Sequence, residues 1–203
     1  MELKRFLEKL SSDTPTPGGG SSSALAGALS ASLVAMVAGL SSKGANTRMK
    51  GAAGIRKKGL SIQKRLFRAI DEDSKSFDAV IKAFRLPKRS EKERLHRFRQ
   101  IQKAYREAII IPQQVCQQSI RLLEYSRTLV LKGNPKATSD AGVAAFLADA
   151  ALAGGMLNIK INLAAVTEEA FVQRMNALMR SWSKKRNQLM KMMITKLTGF
   201  SLA

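Results

Sequence analysis

The stretch of sequence that decides the fold is Asp13–Leu40, DTPTPGGGSSSALAGALSASLVAMVAGL. Pro15 and Pro17 hold the backbone extended and cannot continue a helix. The glycines at 18–20 permit a turn that passes close to another backbone or to a ligand. No charged residue follows before Lys43, and Ala, Gly and Ser predominate. The stretch therefore predicts a Pro/Gly turn that opens a helix which neighbouring helices can approach closely.

Residues 22–40 are long enough to raise the question of a membrane span. Ala, Ser and Gly make up 12 of its 19 residues, and it contains four Leu and no Ile. This composition favours a buried helix of a soluble protein over a membrane span. The opening residues 1–10 alternate charged and apolar side chains, so no secretory signal peptide is predicted.

The composition predicts a single cytoplasmic domain over residues 1–203. A chain of 203 residues is long enough to bury a substantial core. Cys116 is the only cysteine, which excludes an internal disulfide and fits a reducing compartment.

Helical periodicity of apolar residues extends over the chain, and no pattern typical of a strand hairpin occurs. The sequence predicts an all-α, single-domain bundle of five to seven helices that are long and partly kinked. The segment 158–163 alternates polar and apolar residues, and it fits either a short extended piece or a continuation of a helix. The other predicted helices cover 2–10, the segment from the glycine turn to about 42, 48–85, 91 to about 131, 139 or 140 to about 157, and 167 onward.

Capping residues set several of these boundaries. Ser90 followed by Glu93 is a capping box. The segment 132–135, Lys-Gly-Asn-Pro, is a stop signal, and Ser139 or Asp140 is predicted to cap the helix after it. Thr167 is predicted to start the last helix. Pro112 is predicted to kink the long fourth helix or split it in two.

The formal net charge of +20 is unevenly distributed. Nine Lys or Arg and no carboxylate lie in residues 43–68, and seven Lys or Arg and no carboxylate lie from 170 to the end. Such a surface attracts anions, whether nucleic acid, a membrane surface or a polyanionic small molecule. The alternative is a set of solvated helix faces.

Asp73 is the informative carboxylate, because its spacing places it on the apolar stripe of the long third helix with Leu66, Ile70 and Phe77. A desolvated carboxylate has a raised pKa, which suits a general base near neutral pH. The alternative is an aspartate that pairs with an Arg or caps a neighbouring helix. The other carboxylates of this helix, at 71, 72 and 78, are predicted to be solvated or paired with Lys75 and Lys82.

Asn158 and Asn162 share a face if their segment is helical. Two amides in one cleft are suited to binding a heterocycle with alternating donors and acceptors. They are equally suited to forming hydrogen bonds with buried backbone groups of a loop. No metal site or nucleophilic triad is predicted: His96 is the only histidine and sits among Arg and Lys, which favours a solvated side chain. The glycine turn is no P-loop, since no Gly-Lys-Ser/Thr follows it.

Four motifs occur in order along the chain: PTPGGGSSSALAGALSASLVAMVAGLS, DEDSKSFDAVIKAFRLPK, GNPKATSDAGVAA and LNIKINLAAVTEEAF. Together they resemble the cyclodeaminase/cyclohydrolase family, which comprises the cyclodeaminase half of formiminotransferase-cyclodeaminase and free-standing methenyltetrahydrofolate cyclohydrolases. The resemblance covers roughly residues 3–180, and its specificity comes from the four motifs together.

The resemblance implies an all-helical, dimeric enzyme of folate one-carbon metabolism. It would release ammonia from 5-formimidoyltetrahydrofolate to form 5,10-methenyltetrahydrofolate, or interconvert the methenyl and 10-formyl forms. The second aspartate of the D-x-D-x-x-x-F motif, here Asp73, would be the proton acceptor. No cofactor is implied beyond the tetrahydrofolate substrate. The residues implied to bind that substrate are Pro17, Gly18, Gly19, Gly20, Ser139, Asp140, Asn158 and Asn162.

The surplus of positive charge departs from the family pattern. Basic helices would hold the oligoglutamate tail of cellular folates. Alternatively, the chain keeps the family fold without folate turnover and binds nucleic acid, for which phosphate contacts need no aromatic residues. The low aromatic content, 5%, argues against base stacking with single strands.

Overall fold

The computed structural model of the protein describes residues 2–43 and 49–198. Within these ranges the chain forms six α-helices and no β-strand, which confirms the all-α prediction. A 3₁₀ turn, Pro135–Ala137, links the fourth and fifth helices. The helices are α1 (Leu3–Leu10), α2 (Gly19–Ser41), α3 (Ala52–Phe84), α4 (Glu91–Lys132), α5 (Thr138–Leu163) and α6 (Glu169–Thr198).

The central helix is α2, which packs against α3, α4 and α5. Because neighbours surround most of it, α2 has small or apolar residues on all sides and no single polar face. Its buried positions include four serines whose hydroxyls donate to backbone carbonyls. Ser41 donates to its own helix, whereas Ser30 donates to the carbonyl of Ala144 on α5 at 2.7 Å. The uncharged stretch of the sequence therefore forms the core of the bundle.

Small residues bring the helices into close contact, as the sequence predicts. A β carbon built on Gly59 of α3 would lie 3.2 Å from the carbonyl oxygen of Ala31 and 3.3 Å from the β carbon of Ala35, both on α2. A β carbon on Gly27 of α2 would lie 2.7 Å from a methyl group of Leu66. The close backbone packing is thus present within one chain.

Two segments, Gly19–Ser41 and Pro135–Leu163, are long and apolar enough to span a membrane by length and hydropathy alone. Inside the bundle, 56% and 44% of their most apolar windows are buried, respectively. Core helices of soluble proteins also meet these length and hydropathy criteria, so the criteria do not assign either segment to a membrane.

The long fourth helix is continuous, so the alternative that Pro112 splits it in two is wrong. Pro112 is buried inside α4, which packs against α2, α3, α5 and α6. The free energy gained from this packing outweighs the cost of the backbone hydrogen bond that is lost because proline has no N–H. The predicted capping box is confirmed, because the Ser90 hydroxyl accepts from the backbone N–H of Glu93 and the Glu93 carboxylate accepts from that of Ser90.

The predicted starts of the last two helices are wrong by one or two residues. The side chain of Asn134 accepts from the backbone N–H of Lys136 and starts the 3₁₀ turn. The fifth helix consequently begins at Thr138, and Ser139 and Asp140 lie within its first turn instead of capping it.

The last helix begins at Glu169, not at Thr167. The hydroxyl and the backbone N–H of Thr167 both donate to Oε1 of Gln102 on α4, so Thr167 belongs to the loop that α4 holds in place.

The third helix starts later than predicted, at Ala52, because Gly51 before it has a left-handed backbone with φ of 85°. The start predicted at residue 48, and most of the loop predicted at 43–47, lie outside the described residues. The undecided segment 158–163 is helical and forms the last turns of α5.

Candidate functional site

A cleft with a volume of about 390 Å³ opens where the start of α2 meets the second half of α3 and the end of α5. This volume lies in the range of ordinary small-molecule sites. One end of the cleft is polar and the other is apolar and aromatic. The lining residues are Pro15, Thr16, Gly18, Gly19, Gly20, Asp73, Ser76, Phe77, Val80, Ile81, Phe84, Tyr105, Ala108, Asn158, Ile161 and Asn162.

The helical phase of α3 places Asp73 at the polar end. Leu66 and Ile70 on the same face are buried against the core, and Asp73 follows one turn later beside the first turn of α2. There the buried hydroxyl of Ser21 lies 3.0 Å from Oδ2 of Asp73 and 3.0 Å from the carbonyl oxygen of Ile70. The hydroxyl has one proton to donate, so the two acceptors share it.

Burial raises the pKa of the Asp73 carboxyl above its usual value of 3.8. The hydroxyl and the backbone N–H of Ser21 oppose part of this shift, because both stabilise the carboxylate. A raised pKa brings the carboxylate closer to the strength of base that works near neutral pH. The direction of the shift agrees with the prediction from the apolar stripe.

Both alternatives for Asp73 can be compared with the structure. Within residues 2–43 and 49–198, no Lys or Arg forms an ion pair with this carboxylate, so the alternative of an Arg partner is wrong for the described residues. The carboxylate does lie at the N-terminus of α2, where helices favour negative charge. The Ser21 hydroxyl donates to its Oδ2, and the backbone N–H of Ser21 also stabilises the carboxylate.

Gly20 leaves room for this carboxylate. A β carbon built on Gly20 would lie 2.6 Å from both Cγ and Oδ2 of Asp73, which is closer than real β carbons come. The backbone of Gly20 has no positive φ. A glycine is therefore needed here because a side chain would collide with Asp73, and not because of an unusual backbone conformation.

Asn158 and Asn162 face the cleft from the last turns of α5. Nδ2 of Asn158 donates to the carbonyl of Gly154 at 2.9 Å, and Nδ2 of Asn162 donates to the carbonyl of Asn158 at 3.0 Å. These bonds to their own helix fix the two amides. Each still has a second N–H and a carbonyl oxygen that no described residue occupies, so both can bind a polar ring.

The structure brings together Asp73, the glycines 18–20 and the two asparagines, but not the other predicted binding residues. Pro17 lines a neighbouring pocket of about 480 Å³ on the other side of the loop. Ser139 and Asp140 lie at the opposite end of α5, about 27 Å from Asn158 along the helix axis. Within one chain, these two residues are therefore separated from the cleft.

The remaining carboxylates of α3 lie outside the cleft. Asp71 and Asp78 are exposed, as predicted. Glu72 pairs with Arg65 at 2.6 Å, and not with Lys75 or Lys82. On α4, His96 is exposed and lies outside the cleft as well. In the described ranges, no group of three His, Cys, Asp or Glu side chains is arranged to hold a metal ion.

Sequence reasoning did not find Ser21 or the aromatic wall formed by Phe77, Phe84 and Tyr105. Ser21 is the third residue of a glycine-led helix, a position where a first-turn hydroxyl can serve a ligand or a neighbouring side chain. Tyr105 comes from α4 and stacks edge-on against Phe84, with ring centroids 6.1 Å apart. Its place in the cleft depends on the α3–α4 packing, which no local pattern encodes.

We expect Ser21→Ala to raise the pKa of Asp73 further, because the substitution removes a donor that stabilises the carboxylate. The Asp73 carboxyl would then gain its proton at a higher pH than in the wild type. A titration of the side-chain ¹³C shift of Asp73 measures this directly. Ser22→Ala is the matched control, since that hydroxyl donates to the carbonyl of Gly18. Equal pKa values in the Ser21→Ala protein and the wild type would contradict the assigned hydrogen bond.

Comparison with known proteins gives consistent matches. Residues 2–181 match the formiminotransferase-cyclodeaminase family. Methenyltetrahydrofolate cyclohydrolase of Methylorubrum extorquens is 33% identical over 84% of this chain and 83% of its own length. Formimidoyltransferase-cyclodeaminase of Sus scrofa is 30% identical over 88% of this chain, which spans only 34% of that longer protein.

A solved structure is also similar. The crystal structure of formiminotetrahydrofolate cyclodeaminase from Thermotoga maritima superimposes with a TM-score of 0.88 at 25% identity. The match covers 98% of this chain and 96% of that one, so the whole helical arrangement is shared.

Proposed function

This chain belongs to the formiminotransferase-cyclodeaminase family, and from that premise we propose that the cleft around Asp73 is the active site of a folate one-carbon enzyme. The relatives named above support the predicted class of enzyme. The observation that carries the site assignment is a desolvated carboxylate held beside two amides in a cleft of ligand size.

The reaction that we propose first is the hydrolysis of 5,10-methenyltetrahydrofolate. The relative with this activity in its name is similar over most of both chains, whereas the pig bifunctional relative is matched over about a third of its length. In this reaction the Asp73 carboxylate accepts a proton from water as the water oxygen bonds to the methenyl carbon. The bond from that carbon to N5 then breaks, and N5 takes up the hydroxyl proton, which leaves the 10-formyl product and the proton on Asp73.

The second candidate is cyclodeamination, which the structural match to a cyclodeaminase favours. N10 of 5-formimidoyltetrahydrofolate, whose formimidoyl nitrogen is protonated, attacks the formimidoyl carbon and closes the five-membered ring. Asp73 accepts the N10 proton and returns it to the nitrogen that departs as ammonia. Both reactions therefore need one proton carrier placed beside N5 and N10.

The two asparagine amides and the start of α2 bind the substrate in both proposed reactions. Asn158 and Asn162 offer donors and acceptors to the pterin ring, while Gly18 and Gly19 let the backbone approach it closely. These groups orient the substrate so that the reacting carbon lies beside the Asp73 carboxylate.

Spectrophotometry with methenyl- and formimidoyltetrahydrofolate tests the proposal. Loss of the methenyl absorbance indicates hydrolysis, and its appearance with release of ammonia indicates cyclodeamination. No change with either compound would refute the proposed function. The same assay with monoglutamyl and polyglutamyl substrates tests whether the basic surface binds the longer tail, in which case the KM falls as glutamates are added.

We also propose that the protein is a homodimer that forms through α2 and α5. These helices pack side by side, as the bond from Ser30 to Ala144 shows, and each exposes a stripe of large apolar residues. Such a continuous apolar surface is typical of a protein interface. The exposed side chains are Leu29, Met36 and Leu40 on α2, and Val143 and Phe146 on α5.

Phe146→Glu is expected to convert the dimer to a monomer, because a buried carboxylate at the interface centre has no partner. Light scattering coupled to size-exclusion chromatography measures the mass. Phe67→Glu on the exposed face of α3 is the matched control: Phe67 is 45% exposed and Phe146 is 50% exposed. A wild-type monomer, or a dimer that persists with Phe146→Glu, would contradict the proposed surface.

A further inference from the structure

The cleft runs along α3. Asp73 lies at its polar end, and Phe84, the last residue of α3, lies at its apolar end. Eleven residues of helix separate the two, which corresponds to about 16 Å along the axis. Ser76 lies next to Asp73, and beyond it the α3 side chains that face the cleft are apolar: Phe77, Val80 and Ile81.

A fixed cation lies at the apolar end. Nε and Nη2 of Arg97 donate to the carbonyl oxygen of Phe84 at 3.1 and 3.0 Å, and Cζ lies 5.5 Å from the centre of the Phe84 ring. These contacts hold the guanidinium against a residue that lines the cleft. In residues 2–43 and 49–198, no carboxylate forms an ion pair with Arg97. Its charge is thus available to an anionic group of a ligand.

We propose that Arg97 binds the glutamate carboxylate of the folate substrate and thereby sets the direction in which the substrate lies; this inference rests on the proposed function. A tetrahydrofolate consists of a polar pterin, an apolar p-aminobenzoyl ring and an anionic glutamate, in that order. The cleft offers a polar end, an apolar wall and a cation in the same order.

The chemistry of each part fits its position. The reacting nitrogens lie between the pterin and the p-aminobenzoyl ring, so placing them at Asp73 sends the ring along the wall toward Phe84 and Tyr105. Aromatic side chains bind such a ring by edge or face contacts. A guanidinium has five N–H donors in a fork that matches a carboxylate, and the carbonyl of Phe84 occupies only part of them.

Arg97 has a structural role as well, because a cation at the C-terminus of α3 stabilises the last carbonyls of that helix. A purely structural role would affect every substrate equally. Binding of the glutamate would affect only substrates that carry it. Comparing a folate with the corresponding pteroate, which lacks the glutamate, separates the two roles.

The experiment measures kcat and KM of the wild type, Arg97→Gln and Arg94→Gln on methenyltetrahydrofolate and methenyltetrahydropteroate, or on the formimidoyl pair if that is the substrate. Arg94 is exposed on the same helix and its replacement removes the same charge. We expect Arg97→Gln to raise the KM for the folate about tenfold, as for the loss of a charge-assisted hydrogen bond. Its kcat, and its KM for the pteroate, should match those of the wild type.

Arg97→Lys keeps the charge without the fork and should give an intermediate KM for the folate. This variant also provides the test if Arg97→Gln does not fold. Equal changes of KM for the folate and the pteroate, or no change for either, would overturn the role of Arg97 while the activity stands. A wild type that turns over neither compound would instead refute the proposed function, and the inference with it.

Discussion

Asp73→Asn is expected to lower kcat by about 10³-fold, in the range measured when a general acid or base is removed. Asparagine has nearly the same shape and keeps an oxygen that can accept from Ser21, but it cannot take up a proton from water or from N10. The KM should change little, because the residues that contact the pterin and its arm are unaltered. The measurement is steady-state kinetics with the substrate that the wild type turns over.

The stability of the Asp73→Asn protein separates this loss of activity from unfolding. Burial raises the pKa of Asp73, so the folded state favours the protonated form, and the charge present at neutral pH costs folding free energy. Asparagine removes that charge, and Tm at neutral pH should equal or exceed the wild-type value. Asp71→Asn, an exposed aspartate two positions earlier, is the control that should retain activity. Near-normal turnover by Asp73→Asn would show that another group carries the proton.

Gly20→Ala is expected to reduce activity nearly as much as Asp73→Asn, although the new methyl group carries no chemistry. The added carbon would occupy the space of the Asp73 carboxylate, 2.6 Å from Cγ. The end of a side chain can rotate away at small cost, so the fold should persist while the carboxylate leaves its place. A misplaced base loses most of its effect, because proton transfer requires hydrogen-bond distance.

Two comparisons make the Gly20→Ala result specific. In Gly19→Ala, the β carbon would lie 3.8 Å from Nδ2 of Asn158, which is an ordinary contact, so a smaller loss is expected. The double variant with Asp73→Asn should be no less active than Asp73→Asn alone, because both changes remove the same base. Additive losses would mean that Gly20 acts on the substrate independently of Asp73.

Local sequence patterns determined much of the fold. The spacing of apolar residues predicted the helices, and the capping box at Ser90 placed the start of α4. The small residues of α2, which include Gly27, predicted close helix packing. Tertiary contacts explain two of the wrong predictions: Gln102 holds the loop at Thr167, and the packing of α4 keeps the helix continuous at Pro112. The starts of α3 and α5, in contrast, depend on local features of the chain.

The sequence by itself also placed Asp73 on the apolar face of α3, because helical phase alone determines that position. Only the tertiary structure decided what surrounds it: the first turn of α2 with Gly20 and Ser21, and the aromatic wall that includes Tyr105 from α4. It also separated Ser139 and Asp140 from the cleft of their own chain. The physical reason is that periodicity fixes the direction of a side chain relative to its own helix axis. Which groups it meets depends on how the helices pack, and that is settled by contacts between residues far apart in the chain.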